Sequence, residues 1–184
     1  EPSGPKSGSV YIARKVEGVW SLEQQIASPD GAPHDGFGSS VSLSGDTVVM
    51  SVPGDDDLGS NSGSVYVGIR TGTTWSLEAQ LYAMDGTLED GFGSSVSISG
   101  DQVVVGASGE DESALEGGAV YVFGRTNGLW IQQHKLLATN GGAIEDKLGT
   151  STSIFEGTLI AGAPGNDALG SKNGAISIYR LDTV

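Results

Sequence analysis

No cysteine occurs among the 184 residues of the chain. A disulfide framework and a thiolate metal site are therefore excluded, although no cellular compartment is chosen by that absence. Basic residues are scarce: nine Lys and Arg stand against 23 Asp and Glu, for a formal charge of −14. Nucleic acids and anionic lipids are bound largely through Lys and Arg, so a surface of this sign repels both. Long apolar runs are also missing. Nothing approaches the roughly 18 residues of a membrane helix, and no membrane insertion is expected. There is no Asn-x-Ser/Thr acceptor for an N-glycan. Charged residues make up only 17% and hydrophobic ones 37%, which fits a packed core and not a disordered acidic tail.

Glycine, by contrast, is abundant. Its 30 copies follow no three-residue period, so they mark tight turns and not collagen. They also mark a repeat. Trp20, Trp75 and Trp130 are spaced 55 residues apart, and Gly8, Gly63, Gly118 and Gly174 open GSVYIAR, GSVYVGI, GAVYVFG and GAISIYR at nearly the same step. Phe37, Phe92 and Leu148 each precede a glycine, in DGFGSSVSLSGD, DGFGSSVSISGD and DKLGTSTSIFEG. An apolar run with a small-residue turn follows each time: TVVMSVPG, QVVVGASG and TLIAGAPG. Four markers in phase over three copies define one unit of about fifty-five residues.

Each unit reads as four strands. The first, FGSSVSLS, alternates as a strand does. A Ser-Gly-Asp turn leads to the second, TVVMSV, which is nearly all β-branched and is expected to be buried on both faces. An eleven-residue loop leads to the third, SVYVGIR. The fourth, TWSLEAQLY, is expected to place Trp75, Leu77, Ala79 and Leu81 on one face. No segment carries a helical period. Four antiparallel strands with glycine corners are the pattern of a β-propeller blade, and one such sheet cannot bury both faces alone, so units must stack. The tryptophans recur in every unit, which assigns them to packing between blades rather than to ligand platforms.

These motifs resemble the FG-GAP repeats of the integrin α-like β-propeller family, in their microbial and algal form. Phe37-Gly38, Phe92-Gly93 and Leu148-Gly149 resemble the FG element. Val52-Pro53-Gly54, Gly106-Ala107-Ser108 and Gly162-Ala163-Pro164 resemble the GAP element. The resemblance covers essentially the whole chain. It implies a bladed propeller and an extracellular or cell-surface role in adhesion, protein binding or carbohydrate binding. The family's calcium loop, of the Asp-x-Asp-x-Asp-Gly type, joins the first two strands of an integrin blade. Here that connection is Ser44 to Asp46, Ser99 to Asp101 or Glu156-Gly157. Such turns are too short to wrap calcium with six to eight oxygens, so those residues do not carry over.

Two acidic loop sets remain. The loops after the GAP element hold Asp55, Asp56 and Asp57, with Asp111 and Asp167 in register with Asp56. Their carboxylates suit calcium, the one cofactor the sequence suggests, and suit turn capping equally well. Before the FG element, Asp35, Asp90 and Asp146 are in register, and turn capping is the favoured reading there. His34 and His134 occupy unrelated places in the repeat, and no nucleophile elbow or recurring Ser-His-Asp arrangement is present. Every acidic motif recurs, which speaks for scaffold and against an active site.

The phase of the ends gives two, four, four and three strands, thirteen in all. The single repeat domain 1–184 divides into repeats at approximately 7–61, 62–117 and 118–173, with 174–184 starting another. A propeller closes with about four to eight blades. Two expectations follow: a segment of a longer array, or association of copies by strand complementation into a filament or surface layer. The leading functional expectation is a non-catalytic interaction module. Its partners are a protein or glycan ligand, adjacent blades, or further copies of itself.

Overall fold

The structure, a computed structural model, describes residues 7–138, 143–167 and 173–181. Thirteen strands and no helix occur among them. The first sheet is the hairpin β1 (Val10–Val16) and β2 (Val19–Ile26). The second runs β3 (Val41–Ser44), β4 (Thr47–Val52), β5 (Ser64–Thr71) and β6 (Thr74–Leu81), each paired with the next. The third repeats that order with β7 (Phe92–Ser99), β8 (Gln102–Ala107), β9 (Ala119–Thr126) and β10 (Leu129–Leu136). The fourth holds β11 (Ser151–Phe155), β12 (Thr158–Ala163) and β13 (Ala175–Arg180). All pairings are antiparallel. The all-β class and the blade order of two, four, four and three are as the sequence indicates.

Three apolar layers lie between the four sheets. The first joins Val10 and Ile26 to Val48, Met50, Val52 and Trp75. The second joins Val49, Val65, Val67 and Leu81 to Phe92, Val96, Val103 and Tyr121. The third joins Val104, Val120 and Val122 to Ile154, Leu159 and Ala161. Strand β4 is buried at every position, since Val48 and Met50 face one layer while Val49 faces the next. Its β-branched run is what a strand covered on both faces requires. In β12 the corresponding run is half open, and Ile160 is exposed, because no fifth sheet covers it.

One expectation is corrected. Trp75, Leu77, Ala79 and Leu81 do not share a face. A bulge sets Val67 opposite Ala79 but Gly68 opposite Leu77, leaving Glu78 as the extra residue. An extra residue reverses the side-chain alternation beyond it. Trp75 therefore enters the layer toward the first sheet, and Leu81 enters the layer toward the third. The same bulge falls at Glu23 and Gln133. It gives each outer strand two working faces. The first strand is also shorter than expected in two copies: β3 begins at Val41 and β11 at Ser151, whereas Phe37 and Leu148 form isolated parallel bridges to Gly8 and Gly118.

Candidate functional site

The FG element is a lock between consecutive sheets. The amide of Phe37 donates to the Ser7 carbonyl at 2.8 Å, that of Phe92 to Ser62 at 3.0 Å, and that of Leu148 to Gly117 at 3.0 Å. Each acceptor leads into the preceding sheet and stands just before the glycine that opens that sheet's third strand. Those glycines have φ of 88°, 82° and 78°. A Cβ on Gly63 would lie 2.0 Å from the Phe92 carbonyl oxygen. Only glycine permits both that approach and that φ. The rings of Phe37 and Phe92 are buried and meet Tyr66 and Tyr121 edge-on, at 5.8 and 5.4 Å between centroids. Gly38, Gly93 and Gly149 follow with φ of 85°, 95° and 91°.

A second set of bonds between sheets is made by serines of the innermost strands. Ser40, Ser42 and Ser44 accept through Oγ from the amides of Val96, Ile98 and Gly100, at 3.0, 3.2 and 3.1 Å. Ser97 and Ser99 accept from Ile154 and Glu156. The innermost strands of neighbouring sheets are thus joined by side-chain rungs where no backbone ladder runs. The period-two serines in SSVSLS and SSVSIS carry this signal.

The aspartates before the FG element cap turns. Asp35, Asp90 and Asp146 are buried and accept from the amides of Ala32, Thr87 and Ala143 at 2.5, 2.6 and 2.8 Å. Their own carbonyls accept from Gly54, Gly109 and Gly165, tying the two loops of one repeat together. Burial raises the Asp35 carboxyl above its ordinary value, aided by the charges of Asp56, Asp30 and Asp57 and opposed by the Ala32 amide.

The aspartates after the GAP element are engaged by their own loop. Asp55 is buried and accepts from the Asp57 amide at 2.9 Å and the Ser64 hydroxyl at 2.8 Å. Desolvation raises its pKa despite those two bonds. Asp56 accepts from the Asn61 amide at 2.8 Å, and Asp111 from the Glu116 amide at 2.6 Å, so residues in register perform the same closure. Asp57 accepts from the Tyr82 hydroxyl at 2.8 Å. Asp167 is exposed, at the edge of the described residues. No group of three His, Asp or Glu side chains suited to a metal ion occurs among the described residues.

The third repeat places a cation where the second has none. Lys135 Nζ lies 2.6 Å from Asp85, 2.7 Å from Glu110 and 2.6 Å from Glu112, and 5.6 Å above the Tyr121 ring. Burial alone would lower the lysine pKa, but the three carboxylates hold it above its ordinary value. In the second repeat the corresponding residues are Asp30, Asp55, Asp57 and Tyr66, with Gln80 in place of the lysine. There Tyr66 donates to Asp30 at 2.7 Å, and Gln80 reaches Asp55 at 3.4 Å.

The tryptophans occupy three environments. Trp75 is buried, Trp130 is half-buried, and Trp20 is 67% exposed on the outer face of the first sheet. Each is paired with a cation at the same repeat position, Arg70 at 5.6 Å, Arg125 at 4.8 Å and Lys15 at 6.0 Å from the ring centre. His34 and His134 are exposed and far apart in the repeat order. No helix among the described residues is long and apolar enough to cross a membrane.

Antiparallel blades stacked face to face, and locked by a Phe-Gly pair against the glycine of the preceding blade, define a repeat protein of the β-propeller type. The model of the FG-GAP repeat matches residues 20–68, 75–123 and 130–179, and the chain belongs to that family. A comparison with curated proteins found no match.

Proposed function

We propose that this chain is a non-catalytic interaction module that works outside the cell or at its surface, holding a protein or glycan ligand on a rigid stack of FG-GAP blades. The observation that carries this reading is the division of labour among polar residues. Those that recur, Asp35, Asp90, Asp146, Asp56 and Asp111, are bonded within their own loops. Recognition by a preformed scaffold then falls to exposed residues outside these bonded loops. The strong negative charge turns the module away from nucleic acid and anionic membranes.

Immobilised extracellular proteins and a glycan array, probed with the biotinylated chain, test the proposal. Saturable binding to one class of ligand supports it. Binding confined to glycans makes the module a lectin, and turnover of a ligand without retention would sink the non-catalytic reading.

A second reading, a subunit that assembles with further blades or with copies of itself, draws on the outer faces of the end sheets. Trp20 and Leu22 on one and Ile176 and Ile178 on the other are exposed at 60% or more. Sedimentation velocity separates the two: a monomer at all concentrations excludes self-assembly.

A further inference from the structure

The first two of the three junctions in the stack are not equivalent. Between the first and second sheets, Gln24 clips the outer strand shut: its Nε2 donates to the Trp75 carbonyl at 2.8 Å, and its Oε1 accepts from the Trp75 amide at 2.8 Å. At the next junction Ala79 stands where Gln24 stood, and Trp130 where Trp75 stood. Alanine supplies no such bonds; this junction is tied instead by the Met84 amide donating to Gln132 Oε1 at 3.0 Å, beside a groove of about 480 Å³. Leu58, Tyr82, Met84, Phe123, Trp130 and Ile131 line it. Met84 is 84% exposed, and Leu58 and Ile131 about half exposed.

Trp130 belongs to the repeat, whereas Met84, Ile131 and Phe123 do not. The preceding repeat has Pro29 in the place of Met84, Ser76 in that of Ile131 and Gly68 in that of Phe123. Trp130 recurs and Phe123 is part of the core, but Met84 and Ile131 are exposed apolar residues that neither the repeat nor the core requires. Exposed apolar surface of this kind marks contact sites, and flexible methionine suits them.

Charge decides the occupant. Carboxylates stand at the rim: Asp57 on the Tyr82 hydroxyl, Glu78 on the Trp130 indole N–H, and Asp85 beside Met84. Arg125 offsets Glu78, but Lys135 offsets only one of the three carboxylates of Asp85, Glu110 and Glu112, and Asp57 meets a hydroxyl and no cation among the described contacts, so the rim stays net negative. A second copy of this chain, at −14, is repelled, as are nucleic acid and anionic lipid. From this we infer that the groove between the second and third blades docks a basic, amphipathic segment of a partner protein, seating its aliphatic side chains against Met84, Trp130 and Ile131 and its Lys or Arg heads on the acidic rim. The inference rests on the interaction-module reading and names the surface and the partner chemistry.

Fluorescence anisotropy with a labelled twelve-residue peptide alternating Lys and Leu tests it on the full chain. The expected result is saturable binding that weakens as salt rises, as partly exposed charge contacts do. The double variant M84S/I131S, at exposed positions, is expected to lower affinity by about tenfold or more, the scale of an interface hot spot. D57N is expected to reduce the salt dependence, whereas V19S on the first sheet leaves binding unchanged. A peptide with Ser for Leu, equal in charge, is expected to bind at least tenfold more weakly, about 1.4 kcal/mol. If M84S/I131S binds like the parent chain, the groove assignment is overturned while the interaction-module reading survives. If no saturable binding appears up to millimolar peptide, the basic occupant is wrong, and the ligand arrays still decide the broader reading.

Discussion

Gly63 and Phe92 meet across the boundary of two sheets so closely that a single added carbon on the glycine would sit 2.0 Å from the phenylalanine carbonyl oxygen. The contact is backbone against backbone, so no rotamer change relieves it. Gly63→Ala combines this clash with a φ of 82° and is expected to cost about 2–4 kcal/mol, or to prevent folding. Gly72 also has positive φ, 67°, but open space at its Cβ, and Gly72→Ala should cost about 1 kcal/mol. Urea denaturation of the two variants checks the contrast, and equal losses would show that the close approach contributes nothing.

The serine rungs predict small, separable losses. Ser42→Ala leaves the amide of Ile98 without its acceptor, and Ser97→Ala does the same to Ile154. Each should cost about 1 kcal/mol, the usual net worth of such a bond. Hydrogen exchange at the Ile98 and Ile154 amides gives the local readout. Unchanged protection in the variants would remove the rungs from the account.

Lys135 is the only cation bonded to Asp85, Glu110 and Glu112 among the described contacts. Lys135→Met leaves three carboxylates facing one another, one of them buried, and is expected to destabilise by about 3–5 kcal/mol at neutral pH. Lowering the pH toward 4 should recover part of the loss as the carboxyls protonate. A loss that stays constant with pH would point to packing of the lysine stem instead.

The acid limb of the stability profile should be bent. Asp35 and Asp55 have folded pKa values raised above 3.8, chiefly by burial. Their contribution is fully present below 3.8 and is lost as pH rises through the raised values. Asp30 and Asp85 behave oppositely. Burial pushes each up, but bonds from Tyr66 and Ser28, and from Lys135, bring them below 3.8. Their contribution is present above 3.8 and disappears as pH falls through the lowered values. A rise of the thermal midpoint as pH falls toward about 4, followed by a loss below it, is therefore expected. Asp55→Asn should flatten the gain and leave the lower limb in place.

Calcium at millimolar concentration is expected to leave the thermal midpoint unchanged, because Asp55, Asp56 and Asp111 are already bonded to loop amides and hydroxyls. A ligand held only by the folded state raises stability, so an upward shift would assign the loops a metal role.

Repetition made most of this fold legible. Trp20, Trp75 and Trp130 fixed the unit, and the alternation around Phe92 and the β-branched run of β8 fixed two of its strands. The bulge at Glu78 was hidden, because the residues that flank it look like continuous alternation and only the pairing with β5 exposes the extra residue. The serine rungs were hidden for another reason. A serine facing solvent and one accepting from the next sheet are spelled alike until the sheets are stacked. Asp35 and Asp90 were readable as caps, since capping is a local act. The groove at Met84 was not, because its walls come from residues far apart in sequence, Leu58, Met84 and Ile131, that only the stacking of two blades brings together.

The Gly63–Phe92 lock also bears on how such a chain is lengthened. Its hydrogen bond and its close approach are made by main-chain atoms, and the one side chain it demands is the hydrogen of a glycine. A joint of that sort is indifferent to which repeat sits on either side. This one element of the seam can then be copied from repeat to repeat unchanged, while the side chains around it, such as Gln24 at one junction and Lys135 at the next, differ.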